Sequence, residues 1–293
     1  MKILVTFAEV AAVADNFEIE DGRIEERFLE YDQNEWDEYA LEEAVSLREA
    51  GVADEVVTAT IGPERAEDTI RMALAKGADR SIRIWDDSLG SGALADVAIR
   101  AALLAPVIEA EEPALVLSGV QAADDGYAAT GVTLARTLGR QWAAVVNDLS
   151  LELDANTARV RRELEGGIEE VTVLDLPAVL TIQTGINDPR YASLRGLQEA
   201  QTREIDVRTP ADLGVSVEGG SVGAEDGGVG GEDGSSRVEG GSGDAGALEP
   251  ALERGDFTEP EARGDTEYVE GDPSEQAAAI GDLLAGQGVI ENE

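Results

Sequence analysis

Apolar and polar positions follow a repeating strand-then-helix order through the first half of the chain. Short runs rich in β-branched and apolar residues predict buried strands; they are 2–7, 55–60, 81–85 and 114–118. Between and after these runs, helical spacing with typical start and stop residues predicts helices; they are about 34–50, 63–76, 91–110 and 127–138. This alternation predicts an α/β fold with a doubly wound, mainly parallel sheet and helices on both faces.

The pattern changes after Asn147. Residues 157–164 and 168–174 flank the sequence Glu165-Gly166-Gly167, which favours a β-hairpin that leaves the parallel order. A further strand is expected at 178–183, directly after Pro177. We expect this α/β domain to occupy residues 1–213.

Two further segments follow the predicted domain. Residues 214–264 are rich in Gly, Ser, Glu and Asp without apolar periodicity, which predicts a flexible acidic linker. In the last segment, 265–293, Asp272-Pro273 favours a helix start, and the apolar stripe to about 285 has helical spacing. A lone amphipathic helix on a linker needs a surface to pack on, so we expect a tethered helix that docks on a partner or on its own domain.

The charge balance is extreme. Asp and Glu number 62 against 22 Lys and Arg, a formal net charge of -40 at pH 7, and Lys2 and Lys76 are the only lysines. Such a surface repels nucleic-acid phosphates and anionic membranes, so neither is an expected partner. Salt at ~1 M shortens the Debye length to roughly 3 Å and relieves the self-repulsion. The composition therefore favours a salt-rich cytoplasm, as in halophiles.

The chain contains neither cysteine nor histidine. This composition excludes disulfides, thiolate nucleophiles, zinc–thiolate sites and His-based acid–base chemistry, and we expect no metal site. Met1-Lys2 leads directly into a strand, unlike a signal peptide, and no apolar run approaches the ~20 residues of a membrane span. We expect a cytoplasmic protein without direct membrane insertion, whose chemistry depends on a bound cofactor.

The candidate ligand site is the edge of the sheet where parallel strands end. Three segments leave strands there: those after Phe7, after Ile61, and the glycine-containing loop 119–131. Glycines let a ligand approach the backbone, and the following helix offers unpaired N–H groups to a phosphate. Alternatively, the glycines only turn the chain and Asp124 or Asp125 caps a helix. No Walker A motif occurs, and no G-x-G-x-x-G follows a predicted strand, so a P-loop NTPase is not indicated.

Five collinear blocks resemble the β subunit of electron transfer flavoproteins over about residues 1–210. These blocks are 34–44 (NEWDEYALEEA), 61–80 (beginning IGP and ending RMALAKGADR), 119–131 (GVQAADDGYAATG), 162–179 (with RELEGG and LPAV) and 187–194 (NDPRYASL). The strings RMALAKGADR and PRYASL are the most specific. The resemblance implies an adenine-nucleotide-hydrolase-like version of the predicted sheet.

The resemblance implies a structural adenine nucleotide, usually AMP, and a redox FAD held mainly by the α subunit. Trp36 would face the flavin ring, the alternative being an aromatic side chain of the core. The implied cofactor-binding residues are Thr6, Asn34, Glu35, Trp36, Asp37, Ile61, Gly119, Val120, Gln121, Ala122, Ala123, Asp124, Asp125, Gly126, Tyr127, Ala128, Ala129 and Thr130. Basic residues usual in the family are replaced by Ala8, Glu9 and Val120, which leaves open how the phosphate is neutralised.

Residues 187–200 would form the loop that docks partner dehydrogenases, with Tyr191 and Leu194 exposed; Leu194 could instead lie in the core. Glu163 would pair with the flavin domain of the α subunit, or be an ordinary solvated strand charge. The resemblance thus implies an electron carrier without catalytic residues. It would pass electrons from acyl-CoA or other flavin dehydrogenases to a quinone oxidoreductase. The alternatives are an electron-bifurcating β subunit with a second FAD, and a non-redox, stress-type adenine-nucleotide-binding protein.

Overall fold

The computed structural model describes residues 1–87, 89, 93–217, 257–258, 269 and 271–286. The strands are β1 (Lys2–Thr6), β2 (Glu9–Val13), β3 (Ile19–Glu20), β4 (Arg23–Ile24), β5 (Leu29–Gln33), β6 (Glu55–Ile61), β7 (Arg80–Ile84), β8 (Leu115–Gly119), β9 (Gln141–Glu152), β10 (Thr157–Leu164), β11 (Ile168–Asp175), β12 (Ala178–Ile182) and β13 (Asp206–Arg208). The α-helices are α1 (Glu35–Glu49), α2 (Glu67–Lys76), α3 (Val97–Glu111), α4 (Thr130–Thr137), α5 (Leu194–Ala200) and α6 (Pro273–Gly286).

A nine-stranded sheet has the order β11-β10-β9-β12-β8-β1-β6-β7-β13. All strand pairs from β9 to β13 in this order are parallel, whereas β10 pairs antiparallel with both β9 and β11. From β1 the chain moves to β6 and β7 on one side, and then crosses to β8 on the other. The strand order therefore reverses between β1 and β8, the position where such sheets bind ligands.

Apolar side chains cover both faces of this sheet. On one face, α1 and α2 pack on Ile3, Val5 and Leu117. On the other face, α3 and α4 pack on Leu4, Val57 and Val116. The alternation of neighbours such as Leu4 and Val5 between the two clusters follows from the two-residue period of a strand. The predicted doubly wound α/β fold is confirmed.

The predicted strands and the hairpin are confirmed, with ends shifted by at most one residue. Three helices, α2, α3 and α4, begin later than expected. Pro63 precedes a 3-10 turn, Glu64–Ala66, so that α2 starts only at Glu67. The helix expected from 127 starts at Thr130, because Gly126 and Ala128 have φ angles of 63° and 53°, which an α-helix does not tolerate.

The helix expected over 91–110 begins at Val97, where the Asp96 side chain accepts a hydrogen bond from Ala98 N at 2.7 Å. Residues 91 and 92 of that prediction lie outside the described residues. The predicted helix over 273–285 is confirmed as α6. No helix in the part of the chain that the structure describes combines the length and apolar character needed to cross a bilayer.

Sequence patterns did not reveal the short strands β2 to β5 and β13, nor β9, a 12-residue strand. Its first part pairs with β12 and its second part with β10, and the register shifts near Val145, whose φ angle is 62°. The linker predicted at 214–264 lies largely outside the described residues and stays a prediction. Val215 and Val217 still pack against the core, so the described structure continues past residue 213.

Candidate functional site

The Asp37 side chain joins the ends of two neighbouring parallel strands. Its Oδ2 accepts a hydrogen bond from Ala8 N, just beyond β1, at 2.9 Å, and its Oδ1 accepts one from Gly119 N at the end of β8 at 2.7 Å. The residue is 3% exposed and lies in the first turn of α1. One carboxylate thus links the ends of β1 and β8 at the point where the strand order reverses.

Two opposing effects act on the pKa of Asp37. Burial raises the pKa of its carboxyl group to about 6, although hydrogen bonds from Ala8 N, Gly119 N and the Asn34 side chain oppose the rise. These donors hold a mostly ionised carboxylate at neutral pH. The negative charge therefore has a structural role at this edge, because both its oxygens are used by the backbone.

Asn34 attaches the loop after β8 to the start of α1. Its Nδ2 donates to Gln121 O at 2.8 Å, and its Oδ1 accepts from Ala123 N at 3.3 Å. Asn34 occupies the N-cap position of α1, but its side chain makes no capping bond to the described helix residues. The amide instead holds the backbone of the 119–131 loop.

Gly119 allows α1 to approach the sheet more closely than another residue would. A Cβ atom there would lie 2.7 Å from Trp36 Cβ and 2.8 Å from Asp37 N. Gly131 plays the same part for α4, because its Cβ would lie 2.5 Å from Thr181 Cγ2. The glycines at both ends of the loop are thus needed for close packing, and not only for turning the chain.

The carboxylate of Asp125 turns towards α3. Its Oδ2 lies 2.6 Å from Arg100 Nη2, and its Oδ1 accepts a hydrogen bond from Tyr127 N at 3.0 Å. Arg100 lies in the first turn of α3, at the carboxyl edge of the sheet. Sequence reasoning missed Arg100, because the helix expected over 91–110 placed this arginine in its middle and not near its start.

The residues predicted to contact the nucleotide are brought to the same edge of the sheet. Thr6 is buried at the end of β1, and Ile61 is half-buried at the end of β6. Trp36, Val120, Gln121, Ala122, Asp125, Ala129 and Thr130 are half-buried, whereas Glu35, Ala123, Asp124, Gly126, Tyr127 and Ala128 are exposed. Trp36 is thus not a fully buried core aromatic.

The residues predicted to dock partners lie on other elements. Tyr191 is 97% exposed, and Leu194, at the start of α5, is 74% exposed. The alternative that Leu194 belongs to the core is therefore wrong. Glu163 is exposed on β10, opposite Glu169 of β11.

Several known proteins resemble most of this chain. The family model described as an electron transfer flavoprotein domain matches residues 22–213. A protein named electron transfer flavoprotein subunit beta from Methylophilus methylotrophus is 47% identical over 219 residues, which cover 74% of this chain and 82% of that protein. A mitochondrial protein of the same name from Oryza sativa subsp. indica is 40% identical over 219 residues, covering 74% and 85%.

The human protein of this name is 38% identical over 189 residues, covering 64% of this chain and 72% of that protein. These matches confirm the resemblance seen in the five sequence blocks. The chain belongs to the electron transfer flavoprotein family.

Proposed function

We propose that this chain is the β subunit of a heterodimeric electron transfer flavoprotein that binds AMP at the carboxyl edge of its sheet. The α subunit would hold most of the FAD. The observation that carries the proposal is the pair of side chains, Asn34 and Asp37, that fastens the loop after β8 beside the strand-order reversal. Doubly wound sheets bind nucleotides at this position.

The residues at this edge fit an adenylate. Backbone groups of the 119–131 loop and the N–H groups at the start of α4 are suited to the polar atoms of a nucleotide, including its phosphate. The carboxylate of Asp125 is held by Arg100 at 2.6 Å, so one acidic group of the loop is already paired with a cation. Arg100 thereby supplies part of the positive charge that is missing at Ala8, Glu9 and Val120, where the family usually has basic residues.

The chain positions a cofactor and supplies no acid–base or nucleophilic chemistry from His or Cys, since it has neither. The bound flavin would supply the electron transfer. Trp36 is half-buried on the first turn of α1 and adjoins Gly119. In this proposal, the protein provides the orientation and the exclusion of water around the ring held by the α subunit.

The antiparallel end of the sheet supports the assignment of a protein partner. β11 is an edge strand, and its side chains Ile168, Val171 and Val173 are 61%, 48% and 59% exposed. An apolar edge strand left open favours association with another chain. We assign this end of the sheet, with Glu163 on β10, to the contact with the α subunit.

Electrons would arrive from flavin dehydrogenases such as acyl-CoA dehydrogenases and leave to a quinone oxidoreductase. The exposed Tyr191 and Leu194 suit the docking of the dehydrogenase. The test is co-expression with the α subunit and purification in concentrated KCl. We expect a yellow heterodimer whose flavin is reduced by an acyl-CoA dehydrogenase and its substrate. A colourless homodimer that ignores the α subunit would support the stress-type alternative and refute the proposal.

A further inference from the structure

Charged hydrogen bonds fasten residues 187–193 to the outer face of α1. Arg190 donates from Nε and Nη2 to Glu42 Oε2 and Oε1, at 2.8 and 2.9 Å, and from Nη1 to Glu49 Oε1 at 2.7 Å. The backbone N–H of Arg190 also donates to Glu42 Oε2, at 3.0 Å. Positions 42 and 49 share one face of the helix, so a single guanidinium bridges two turns of α1.

Both carboxylates of this cluster are held in the charged form. Burial alone would raise the pKa of Glu42, but hydrogen bonds from the Arg190 side chain and backbone outweigh it and lower the pKa. A hydrogen bond from Arg190 likewise lowers the pKa of Glu49. The Glu42 side chain is 11% exposed. This partly buried fork is therefore screened by salt less than an open surface pair would be.

The same segment is held at its two ends. Asn187 Nδ2 donates to Tyr39 O and to Glu43 Oε2, both at 3.1 Å. At the other end, Ser193 Oγ accepts from Gly196 N at 3.0 Å and caps α5. Fixed points thus lie before, at and after Arg190.

Packing alone does not place this segment. A cleft of about 450 Å³ lies between residues 189–192 and the helices α1 and α2, with Tyr39 and Met72 among its lining residues. Tyr191 and Leu194 point away from the protein, at 97% and 74% exposure. Packing of α5 on α2 helps to place Leu194, whereas the position of Tyr191 and of the chain that leads into α5 depends on the hydrogen bonds of Arg190 and Asn187.

We infer that Arg190, held by Glu42 and Glu49, is a positioning residue that presents Tyr191 and Leu194 to the electron-donating dehydrogenase. The inference rests on the proposed function, which gives these side chains their docking role. A segment ordered before binding loses less entropy when a partner docks. Loosening the segment therefore weakens docking without changing the electron transfer that follows it.

The test uses the intact heterodimer with an acyl-CoA dehydrogenase and octanoyl-CoA as the donor system. For Arg190→Gln we expect KM for the heterodimer to rise about tenfold, which is the effect expected when one or two side chains are no longer ordered before binding. We expect kcat to stay nearly unchanged. The KM of Arg190→Lys should lie between those of Arg190→Gln and the parent, because lysine keeps the charge but not the planar fork. Hydrogen exchange of residues 187–194 should accelerate in the same order.

Arg208→Gln is the matched control. It removes the same charge from a residue of similar exposure, which lies at the end of β13 and pairs with Asp206. It should leave KM unchanged. An equal rise of KM in Arg208→Gln would assign the effect to net charge and overturn the inference.

Leu194→Ala separates the inference from the proposed function. If Leu194→Ala and Tyr191→Ala both leave KM unchanged, the docking role itself fails. If Leu194→Ala raises KM while Arg190→Gln accelerates exchange without raising KM, docking stands and the positioning role of Arg190 is refuted.

Discussion

Asp37 Oδ1 lies 2.7 Å from the backbone nitrogen of Gly119, and this contact joins the first helix to the end of a strand across the reversal of strand order. The other carboxylate oxygen takes the N–H of Ala8. Replacing this side chain therefore affects two loops at once. Its protonation should also be visible in the stability of the protein.

For Asp37→Asn, we expect a change in the pH dependence of unfolding. The pKa of Asp37 is about 6 in the folded protein, above the ~3.9 of an unperturbed Asp. The folded state thus keeps a proton that the unfolded state loses, so this group lowers the free energy of unfolding as pH rises from about 4 to about 6, by up to about 3 kcal/mol. Above pH 6 its contribution is constant.

The amide introduced by Asp37→Asn does not titrate, so this variant should gain stability relative to the parent over this pH window. One backbone N–H loses its acceptor at every pH, which costs about 1–3 kcal/mol. Denaturant unfolding at several pH values measures both effects. Asp15→Asn, at an exposed position, is the control. Parallel curves for the parent and Asp37→Asn would contradict the assigned protonation.

Gly119→Ala should destabilise the protein by about 1–3 kcal/mol, the usual cost of overpacking. The added methyl group would lie 2.7 Å from Asp37 Oδ1 and 2.8 Å from Asp37 N. The start of α1 cannot move away from it without breaking the hydrogen bond from Ala8 N to Asp37 Oδ2. Gly281→Ala is the control, because nothing lies within 4 Å of its Cβ position in α6. Equal melting temperatures for the two variants would show that close packing at Gly119 is not required.

Arg100→Gln should weaken AMP binding. The substitution leaves Asp125 without its 2.6 Å partner and adds an unbalanced negative charge beside the proposed phosphate position. Loss of a charged interaction of about 1.5–3 kcal/mol corresponds to about tenfold weaker binding or more. Titration calorimetry with AMP on nucleotide-stripped heterodimer measures the change. Arg136→Gln, on the exposed last turn of α4, is the control of equal charge, and an equal loss there would contradict a specific role for Arg100.

Salt should stabilise the protein strongly. The net charge of -40 produces self-repulsion that shrinks as the Debye length falls from about 10 Å at 0.1 M to about 3 Å at 1 M. We expect the melting temperature to rise steeply with KCl over this range and to rise similarly with NaCl. A melting temperature that stays flat would contradict the proposed adaptation to a salt-rich cytoplasm.

Local patterns predicted the buried parallel strands and the hairpin well, because runs such as 55–60 combine β-branched residues with burial on both faces. They did not predict β9, whose half-exposed positions lack a clean alternation and whose two halves pair with different partners. The late start of α4 depends on positive φ at Ala128, which no local propensity indicates.

The resemblance identified Asn34 and Asp37 as site residues, but not what they bind in this chain. Their partners, Gln121 and Gly119, are more than 80 residues away along the sequence, so the contacts exist only through the sheet topology. Arg100 was not predicted for the same reason, because it lies on α3 whereas its partner Asp125 lies in the loop after β8.

The nucleotide content of the heterodimer tests most directly whether the strand-end loops hold an adenylate while the α subunit carries the flavin. The protein is co-expressed with its α subunit and purified in about 1 M KCl, where surface charges are screened. FAD and AMP are then released by denaturation and quantified by chromatography. We predict one FAD and one AMP per heterodimer. Two FAD without AMP would assign a flavin to this edge instead, and FAD without any second nucleotide would contradict the site.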